Sequence, residues 1–265
     1  MLGLQNSMKK IFVFIFCLFL FCINYSDADV IRVGEELVYD VTFLAIKLGT
    51  IKIVTLPDTI INNEKVYHSK VFIQSNPNIP FYSLRAIFNS YMDTSLAEGK
   101  YFECSMKEGD KEWGFQKITF KDENFNNNLR NEKWYAKEKT TDTIYENAGK
   151  VIDGSTLFFY ARKNSNSNKN VKIPTLMDLE IGNTILRFTG NQEKVKINAV
   201  KYPINTYYIE GRGEWKALYG LGDKFQGWFS ADDARVPIKA TMNVYVGSVN
   251  IELKSWKRAN WIPPK

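Results

Sequence analysis

Two adjacent carboxylates, Asp232 and Asp233, are the strongest candidates for chemistry in this sequence. Paired acids hold metal ions or act as the acid and base of a hydrolase. Here they lie between two alternating apolar segments and are followed by Arg235, and acids in such short connections more commonly accept backbone N–H groups or pair with a nearby arginine. We therefore predict that both are turn residues. An Asp-dependent hydrolase is the least favoured of our functional hypotheses.

Nucleophilic catalysis would have to use His68, because the chain contains one histidine. His68 shares a strand face with Lys70 and Gln74, which predicts a surface position and no catalytic role. Cys104 shares a strand face with Phe102 and Met106, so we expect it to be a small buried hydrophobe. No Cys/His spacing suits zinc, and no glycine-rich phosphate loop precedes a helix. The sequence thus predicts no catalytic residue, no metal site and no cofactor, and a protein that is not an enzyme.

A short aromatic segment is the best candidate for binding. Asp153 precedes it as an N-cap, and the pattern predicts a helix over 153–162. The helix is apolar almost all round, so it must be buried, and inside a curved sheet it would occupy the concave side. Two interpretations stay open, a helix that fills the core and a helix that lids an apolar cavity for a lipid-like ligand. The candidate ligand-binding residues are Leu157, Phe158, Phe159 and Tyr160. Asp153 is either the cap or part of a polar site at the helix start.

The elements that must position these residues are strands. Aromatic residues make up 14% of the chain, and apolar and polar residues alternate over most of it, as in Glu36–Phe43. Turn residues separate the runs, which is typical of an antiparallel sheet. The predicted strands are Glu36–Phe43, Gly49–Leu56, Lys65–Gln74, Lys100–Met106, Trp113–Phe120, Glu132–Ala136, Thr184–Phe188, Lys194–Val200, Ile204–Glu210, Lys224–Ser230, Pro237–Tyr245 and Ser248–Leu253. The fold class is mainly β, a curved antiparallel sheet or partly open barrel with one short central helix.

Some parts of the chain do not follow this simple alternation. Phe81–Tyr91 fits a strand and a helix equally well. The asparagine-rich segment 164–170 is predicted to be a solvated loop, and one domain with a mobile loop is favoured over a linker between two domains. Gly49 and Gly247 each interrupt an apolar run before a new strand, which indicates a bulge or sharp bend in the sheet.

The N-terminus has the three parts of a secretory signal. Lys9 and Lys10 precede an apolar run over 11–23, and the triplet Ser26-Asp27-Ala28 fits a cleavage site. The run would span about 20 Å as a helix against about 30 Å for a bilayer core, so an uncleaved anchor is the weaker alternative. We predict a signal peptide over 1–28 and a single β-rich domain over 29–265. The protein is then exported, and it is periplasmic or otherwise soluble in the cell envelope.

The net charge of +6 is spread along the chain, so a nucleic-acid partner is not expected. The C-terminus mixes basic and indole groups in a short tail. Such a tail can touch an anionic membrane surface or be an ordinary solvated end, so membrane contact is at most peripheral. The residues concerned are Lys254, Trp256, Lys257, Arg258 and Trp261.

The sequence resembles a bacterial exported family catalogued as domain of unknown function 3108. The match rests on a Gly-Glu-x-Leu-x-Tyr opening, an Asp-…-Arg helix and a Trp-x-Ser-x-Asp-Asp-x-Arg-x-Pro ending. The residues that carry it are Gly34, Glu35, Leu37, Tyr39, Gly49, Asp93, Asp153, Phe159, Tyr160, Arg162, Trp228, Ser230, Asp232, Asp233, Arg235, Pro237 and Gly247. Thr156 departs from the serine expected there, and the asparagine-rich segment is longer than expected. The resemblance implies an exported envelope β protein with no established activity.

Three hypotheses follow. The leading one is a non-enzymatic envelope protein whose curved sheet binds a lipid or other hydrophobic ligand. The second is a structural or assembly module that binds another envelope protein along an edge strand. The hydrolase is the third. A curved sheet around a short helix also looks like the periplasmic lipoprotein carriers, an analogy of fold that does not give function.

Overall fold

A computed structural model describes residues 30–80, 83–123, 126–178, 180–214, 221–244 and 247–265. The predicted signal peptide lies outside these residues. The strands are β1 (Glu36–Phe43), β2 (Ile46–Ile61), β3 (Glu64–Ser75), β4 (Leu84–Asp93), β5 (Gly99–Glu108), β6 (Gly114–Glu123), β7 (Asn126–Tyr135), β8 (Glu138–Tyr145), β9 (Asn168–Met177), β10 (Glu180–Val195), β11 (Ile204–Gly213), β12 (Leu221–Ser230), β13 (Pro237–Val244) and β14 (Ser248–Lys257). The helix α1 spans Gly154–Asn164.

The strands form one antiparallel sheet in the order β8-β7-β6-β5-β4-β3-β2-β1-β14-β13-β12-β11-β10-β9. Each half is a meander, and the pairing of β1 with β14 joins the two halves near the chain ends. In the described part of the chain, the sheet does not close between β8 and β9. The predicted fold class, a curved antiparallel sheet with one short helix, is confirmed.

The sheet is curved, and segments from its two ends contact each other across the concave side. The turn between β9 and β10 reaches the opposite end of the sheet, where the side-chain amides of Gln116 on β6 and Asn131 on β7 donate to the Asp178 carbonyl oxygen, each at 2.8 Å. The segment before α1 spans the same gap. Val151 accepts a backbone hydrogen bond from Gly99 on β5, and Ile152 forms a bridge with Thr175 on β9.

The helix α1 packs inside this curve, between the two halves of the sheet. Phe159 is buried in a cluster with Leu37, Tyr39 and other residues of the β1–β4 side. Ala161 is buried in a second cluster with Phe188 and neighbours on the β9–β12 side. The helix is therefore buried on the concave side, as the sequence predicted, and both halves of the sheet pack against it.

Two glycines have the roles that their positions suggested. Gly49 lies at the register shift of the β1–β2 pair, and a Cβ there would collide with the Gln74 carbonyl oxygen on β3. Gly247 has a φ of +83°, a left-handed conformation that favours glycine, in the turn between β13 and β14. Both glycines permit local backbone geometry, and neither contributes a side chain to a site.

The strand predicted over Lys194–Val200 is wrong. β10 continues only to Val195, and the following residues form an irregular segment up to Pro203. Ile197 is buried in the core, and the Asn198 N–H donates to the Glu252 carboxylate at 2.7 Å. The apolar alternation here reflects packing of an irregular segment onto the core and not pairing with another strand.

The prediction for the asparagine-rich segment 164–170 is also largely wrong. α1 ends at Asn164 and β9 already begins at Asn168. Pairing of β9 with β10 satisfies the backbone, so the strand forms although its side chains are polar. The ambiguous segment over 81–91 is resolved as strand β4 from Leu84 onward; residues 81 and 82 lie outside the described residues.

The C-terminal residues differ from the solvated tail that we expected. Lys254, Trp256 and Lys257 belong to β14, and Arg258 is buried. Beyond the strand, the Tyr202 hydroxyl donates to the Pro263 carbonyl oxygen at 2.9 Å, and the Asn205 N–H donates to that of Pro264 at 2.9 Å. The chain end is held against the sheet because these carbonyl groups have protein partners.

Candidate functional site

A cavity of about 410 Å³ lies on the concave side, between the start of α1 and strands β2 to β6. The end of β9 and the turn after it form its remaining wall. The side chains that line it are mainly aliphatic, aromatic or sulfur-containing. They are Ile51, Ile53, Val71, Ile73, Phe88, Phe102, Cys104, Met106, Gln116, Ile118, Asp153, Ser155, Phe158, Phe159, Leu176, Met177 and Asp178, with the backbone of Gly154.

The strand register arranges the cavity wall in rows that cross the sheet. One row runs through Ile53, Val71, Phe88, Cys104, Gln116 and Lys133. Since paired residues on adjacent strands point to the same face, all six belong to the concave side. The row is apolar from β2 to β5 and polar on β6 and β7. The cavity therefore has an apolar body and one polar end.

The four predicted ligand-binding residues separate into two pairs. Phe158 and Phe159 line the cavity, and their rings meet edge to face at 5.2 Å. Leu157 and Tyr160 do not line it and pack instead against the second cluster, where the Tyr160 ring lies 6.5 Å from that of Phe188. The prediction of four residues around one pocket is therefore wrong for Leu157 and Tyr160. The sequence showed that the helix is apolar all round but not which side faces the cavity.

Asp153 is both the helix cap and part of the cavity wall. Its carboxylate accepts from the Ser155 and Thr156 N–H groups at 2.8 and 3.1 Å, and from the hydroxyls of Ser90 and Thr156 at 2.9 and 2.6 Å. Burial raises the pKa of Asp153 above its usual range, and these hydrogen bonds oppose that rise. Its acceptor positions are occupied, so its main role is to fix the start of α1.

The polar end of the cavity was not identified from the sequence. The side-chain amides of Gln116 and Asn131 donate to the Asp178 carbonyl oxygen, and the Lys133 ammonium contacts the Asp178 carboxylate. A smaller depression of about 210 Å³ adjoins this end and shares Cys104 and Gln116 with the cavity. Polar residues on the inward positions of β6 and β7 were the available signal, but the register that shows them to be inward comes from the fold.

Cys104 lies in the middle of the cavity wall, buried as predicted. Burial raises the pKa of its thiol to about 12, so the thiol is protonated at neutral pH and a poor nucleophile. His68 lies on the other face of the sheet, half-buried, with its ring stacked on Tyr91 at 4.1 Å. Burial lowers the pKa of His68. Cys104 and His68 lie on opposite faces of the sheet, so they do not form a nucleophile–base pair.

A second polar cluster lies away from the cavity, at Glu35. The Arg162 guanidinium donates two hydrogen bonds to its carboxylate, at 2.6 and 2.9 Å, and Arg258 donates another. Arg162 also donates to the Ala234 carbonyl oxygen at 3.0 Å. Burial works against ionisation of Glu35, but the charges and hydrogen bonds of Arg162 and Arg258 outweigh it and hold its pKa below its usual range. This cluster, the Glu35 clasp, joins the N-terminal segment, the helix, the β12–β13 connection and the chain end.

Asp232 has the turn role that we predicted. One carboxylate oxygen accepts from the Ser230 hydroxyl at 2.7 Å and the Arg235 N–H at 3.0 Å. The other accepts from the Trp261 indole N–H at 2.8 Å. Asp233 is exposed, and neither acid lines the cavity.

The other family-motif residues have structural contacts. The Tyr39 hydroxyl donates to the Pro237 carbonyl oxygen at 3.1 Å, and the Trp228 indole N–H donates to Glu193 at 3.0 Å. The Arg235 guanidinium donates to the Lys163 carbonyl oxygen. Asp93 accepts from two backbone N–H groups of the β4–β5 turn, each at 2.8 Å. Gly34, at a φ of +82°, donates its N–H to the Thr55 carbonyl oxygen at 2.9 Å.

Comparison of structures shows a similar fold in a protein described as a beta-barrel-like protein of domain of unknown function DUF1849 from Brucella abortus. The TM-score is 0.59 at 12% sequence identity, and the match covers 86% of this chain and 99% of that one. No curated protein matches the sequence. Within the described residues, no helix has the length and apolar character needed to cross a membrane. A family described as protein of unknown function (DUF3108) matches residues 38–254, which is most of the chain, and the protein belongs to that family.

Proposed function

We propose that this protein is a non-enzymatic, exported protein of the cell envelope that binds a lipid-like ligand in the cavity of its curved sheet. The observation that carries the proposal is the cavity itself. Its volume of about 410 Å³ falls within the range of about 300–1,000 Å³ that is usual for small-molecule sites.

The composition of the wall supports a hydrophobic ligand. Protein interiors are normally packed with few voids larger than a water molecule, so an apolar space of this size is unusual for a core. Phe88, Phe102 and Phe158 are only partly buried although they lie on the inner face. An apolar ligand would remove these rings from water, and each ring offers a large contact area.

The N-terminal sequence supports export. Lys9, Lys10, the apolar run over 11–23 and the triplet ending at Ala28 have the order of a secretory signal. Export into an envelope would place the mature chain, beginning near Asp29, beside membranes that contain acyl-chain lipids.

A cavity-blocking variant tests the binding proposal. Cys104→Phe places a ring in the middle of the cavity wall, between Phe88 and Gln116 on the neighbouring strands. We expect the mature protein to co-purify with lipid detectable by native mass spectrometry, and we expect this variant to lose it. Ser105→Phe is the matched control, because Ser105 is the next residue of β5 and points to the opposite face.

The control must keep its lipid and both variants must fold, as judged by circular dichroism. Wild-type protein that carries no lipid and binds no added fluorescent fatty acid contradicts the proposal. Equal lipid retention by the two folded variants contradicts it as well, because the ligand would then lie elsewhere.

The second candidate is an assembly module that binds another envelope protein at strand β8. β8 ends the sheet, most of its residues are exposed, and 60% of the Ile144 surface is accessible. An edge strand of this kind can accept a strand from a partner. Replacing Ile144 by lysine puts a charge on this exposed edge, which opposes pairing with another strand, and changes no residue of the cavity wall. Loss of function in this variant alone favours the assembly module.

A further inference from the structure

We infer that the ligand is a single-chain amphiphile with an anionic head, and that the head lies at Lys133. The inference rests on the proposed function, since it assigns the ligand class and orientation in the same cavity. Its basis is the polar end formed by Gln116, Asn131, Lys133 and Asp178, which we call the donor end.

The shape of the cavity suits one acyl chain. Its body follows the strand register from Ile53 on β2 to Gln116 on β6, across four inter-strand spacings or about 19 Å. The volume of about 410 Å³ is near the lower limit for a ligand site. An apolar space of this length and volume accommodates one extended acyl chain better than a two-chain lipid.

The donor end determines the orientation. Lys133 follows Gln116 in the same inward row, so it lies just beyond the apolar body. The other carboxylate of the cavity wall, that of Asp153, is already saturated by Ser90, Ser155 and Thr156. The amphiphile therefore places its tail along Phe88 and the start of α1 and its head at β6 and β7.

The chemistry of the donor end favours an anion. Gln116 and Asn131 contribute amide N–H groups and Lys133 contributes an ammonium, and all three meet Asp178. The two amides are held by the Asp178 carbonyl oxygen, so Lys133 is the donor that a ligand can take over. A carboxylate or phosphate oxygen only accepts hydrogen bonds, and it therefore complements the Lys133 ammonium. The Asp178 side chain shows that a carboxylate can be accommodated at this position, because its own carboxylate already pairs with Lys133.

Asp178 can give up this position to a ligand. Its side chain is 47% exposed, in the turn between β9 and β10, and exposed ion pairs contribute little to stability. Its carbonyl oxygen, and not its carboxylate, holds the turn against Gln116 and Asn131. A ligand head can thus replace the carboxylate at Lys133 while the turn stays attached.

The test compares two ligands with the same chain and different heads. We expect the mature protein to bind palmitate on the order of tenfold more tightly than 1-hexadecanol in fluorescent-probe displacement below the critical micelle concentration. Lys133→Gln should abolish the difference. Lys139→Gln is the matched control, since Lys139 on β8 pairs with Glu132 and Asp142 and, unlike Lys133, does not line the depression at the donor end.

Asp178→Asn should change the affinity for palmitate in the direction opposite to Lys133→Gln. It removes the carboxylate that competes for Lys133 and keeps the backbone carbonyl, so palmitate should bind more tightly and hexadecanol about equally. Palmitoyl lysophosphatidic acid identifies the source of the anion: tighter binding than palmitate indicates a phosphate head, and weaker binding a carboxylate.

Equal binding of palmitate and hexadecanol, both lost in Cys104→Phe, overturns this inference and leaves the proposed function standing. Selectivity for palmitate that persists in folded Lys133→Gln also overturns it. Failure of all three ligands to bind refutes the proposed function itself.

Discussion

Glu35 connects parts of the chain that are far apart in sequence. Arg162 lies 127 residues from it and Arg258 lies 223 residues from it. Glu35 is 2% exposed and Arg162 fully buried, so the charges are removed from water and depend on one another. At the residue scale, this ion pair gives the family-motif residues Glu35 and Arg162 a structural role.

Glu35→Gln should lower the free energy of unfolding at pH 7 by roughly 3–5 kcal/mol, because it leaves two arginines without their carboxylate. The pKa of Glu35 is lowered in the folded state, so its stabilising contribution is complete above the unfolded value of about 4.3 and is lost as the pH falls through the folded pKa. The difference between wild type and variant should therefore shrink below about pH 4. Urea unfolding at several pH values measures both effects.

Glu36→Gln is the control, because the neighbouring Glu36 is partly exposed and pairs with Lys52 at the surface. It should have a much smaller effect on unfolding. Equal losses in the two variants would show that the buried position of Glu35 is unimportant.

The helix α1 acts as an element with two different apolar sides. Both Phe158 and Phe159 border the cavity. Phe159 is 1% exposed and packs into the core, whereas Phe158 is only partly buried. Tyr160 and Leu157 face the other half of the sheet. A helix of this length is marginal alone in water, so these contacts and the Asp153 cap stabilise it.

The two phenylalanines should respond differently to truncation. Phe159→Ala should reduce the free energy of unfolding by roughly 3–5 kcal/mol, because it opens a void in the core. Phe158→Ala should reduce it less, since that ring already borders an empty space, but it should change the affinity for an apolar probe. Thermal unfolding and probe fluorescence on the same samples separate the two effects, and equal destabilisation with unchanged probe binding would contradict the cavity.

At the scale of the whole molecule, the two ends of the chain join the two halves of the sheet. β1 and β14 pair in the middle of the sheet, and the residues after β14 pack onto the sheet at Tyr202 and Asn205. Trp261 adds a hydrogen bond to Asp232 and an edge-to-face contact with Trp256 at 5.3 Å. The chain end is therefore a structural part of the sheet.

Deletion of Trp261–Lys265 should lower the free energy of unfolding by roughly 3 kcal/mol, since the hydrogen bonds to Tyr202, Asn205 and Asp232, of about 1 kcal/mol each, are lost. Urea unfolding of the truncated mature protein measures the loss. Lys254→Gln, which removes an exposed charge from β14, serves as the comparison. A truncated protein as stable as the full-length one would mean that the end is a solvated tail after all.

The sequence by itself determined the features that depend on local chemistry. Inward and outward residues alternate along a strand, so Glu36–Phe43 was predicted with its observed bounds. The Asp153 carboxylate accepts from the N–H groups of Ser155 and Thr156, two and three residues later, so the helix start was predicted from neighbouring positions. Alternation failed over Lys194–Val200, because a segment packed on the core can alternate without pairing.

Only the tertiary structure decided which distant residues meet. Gln116 and Lys133 lie on two strands and Asp178 lies in the turn after β9. Their meeting depends on strand register and on the curvature that brings the end of β9 to β6. The same holds for Glu35 with Arg162 and Arg258, and for the side of α1 that faces the cavity. The local sequence pattern specifies which side chains of a strand or helix are apolar. A site formed between elements exists only once the sheet has curved around the helix.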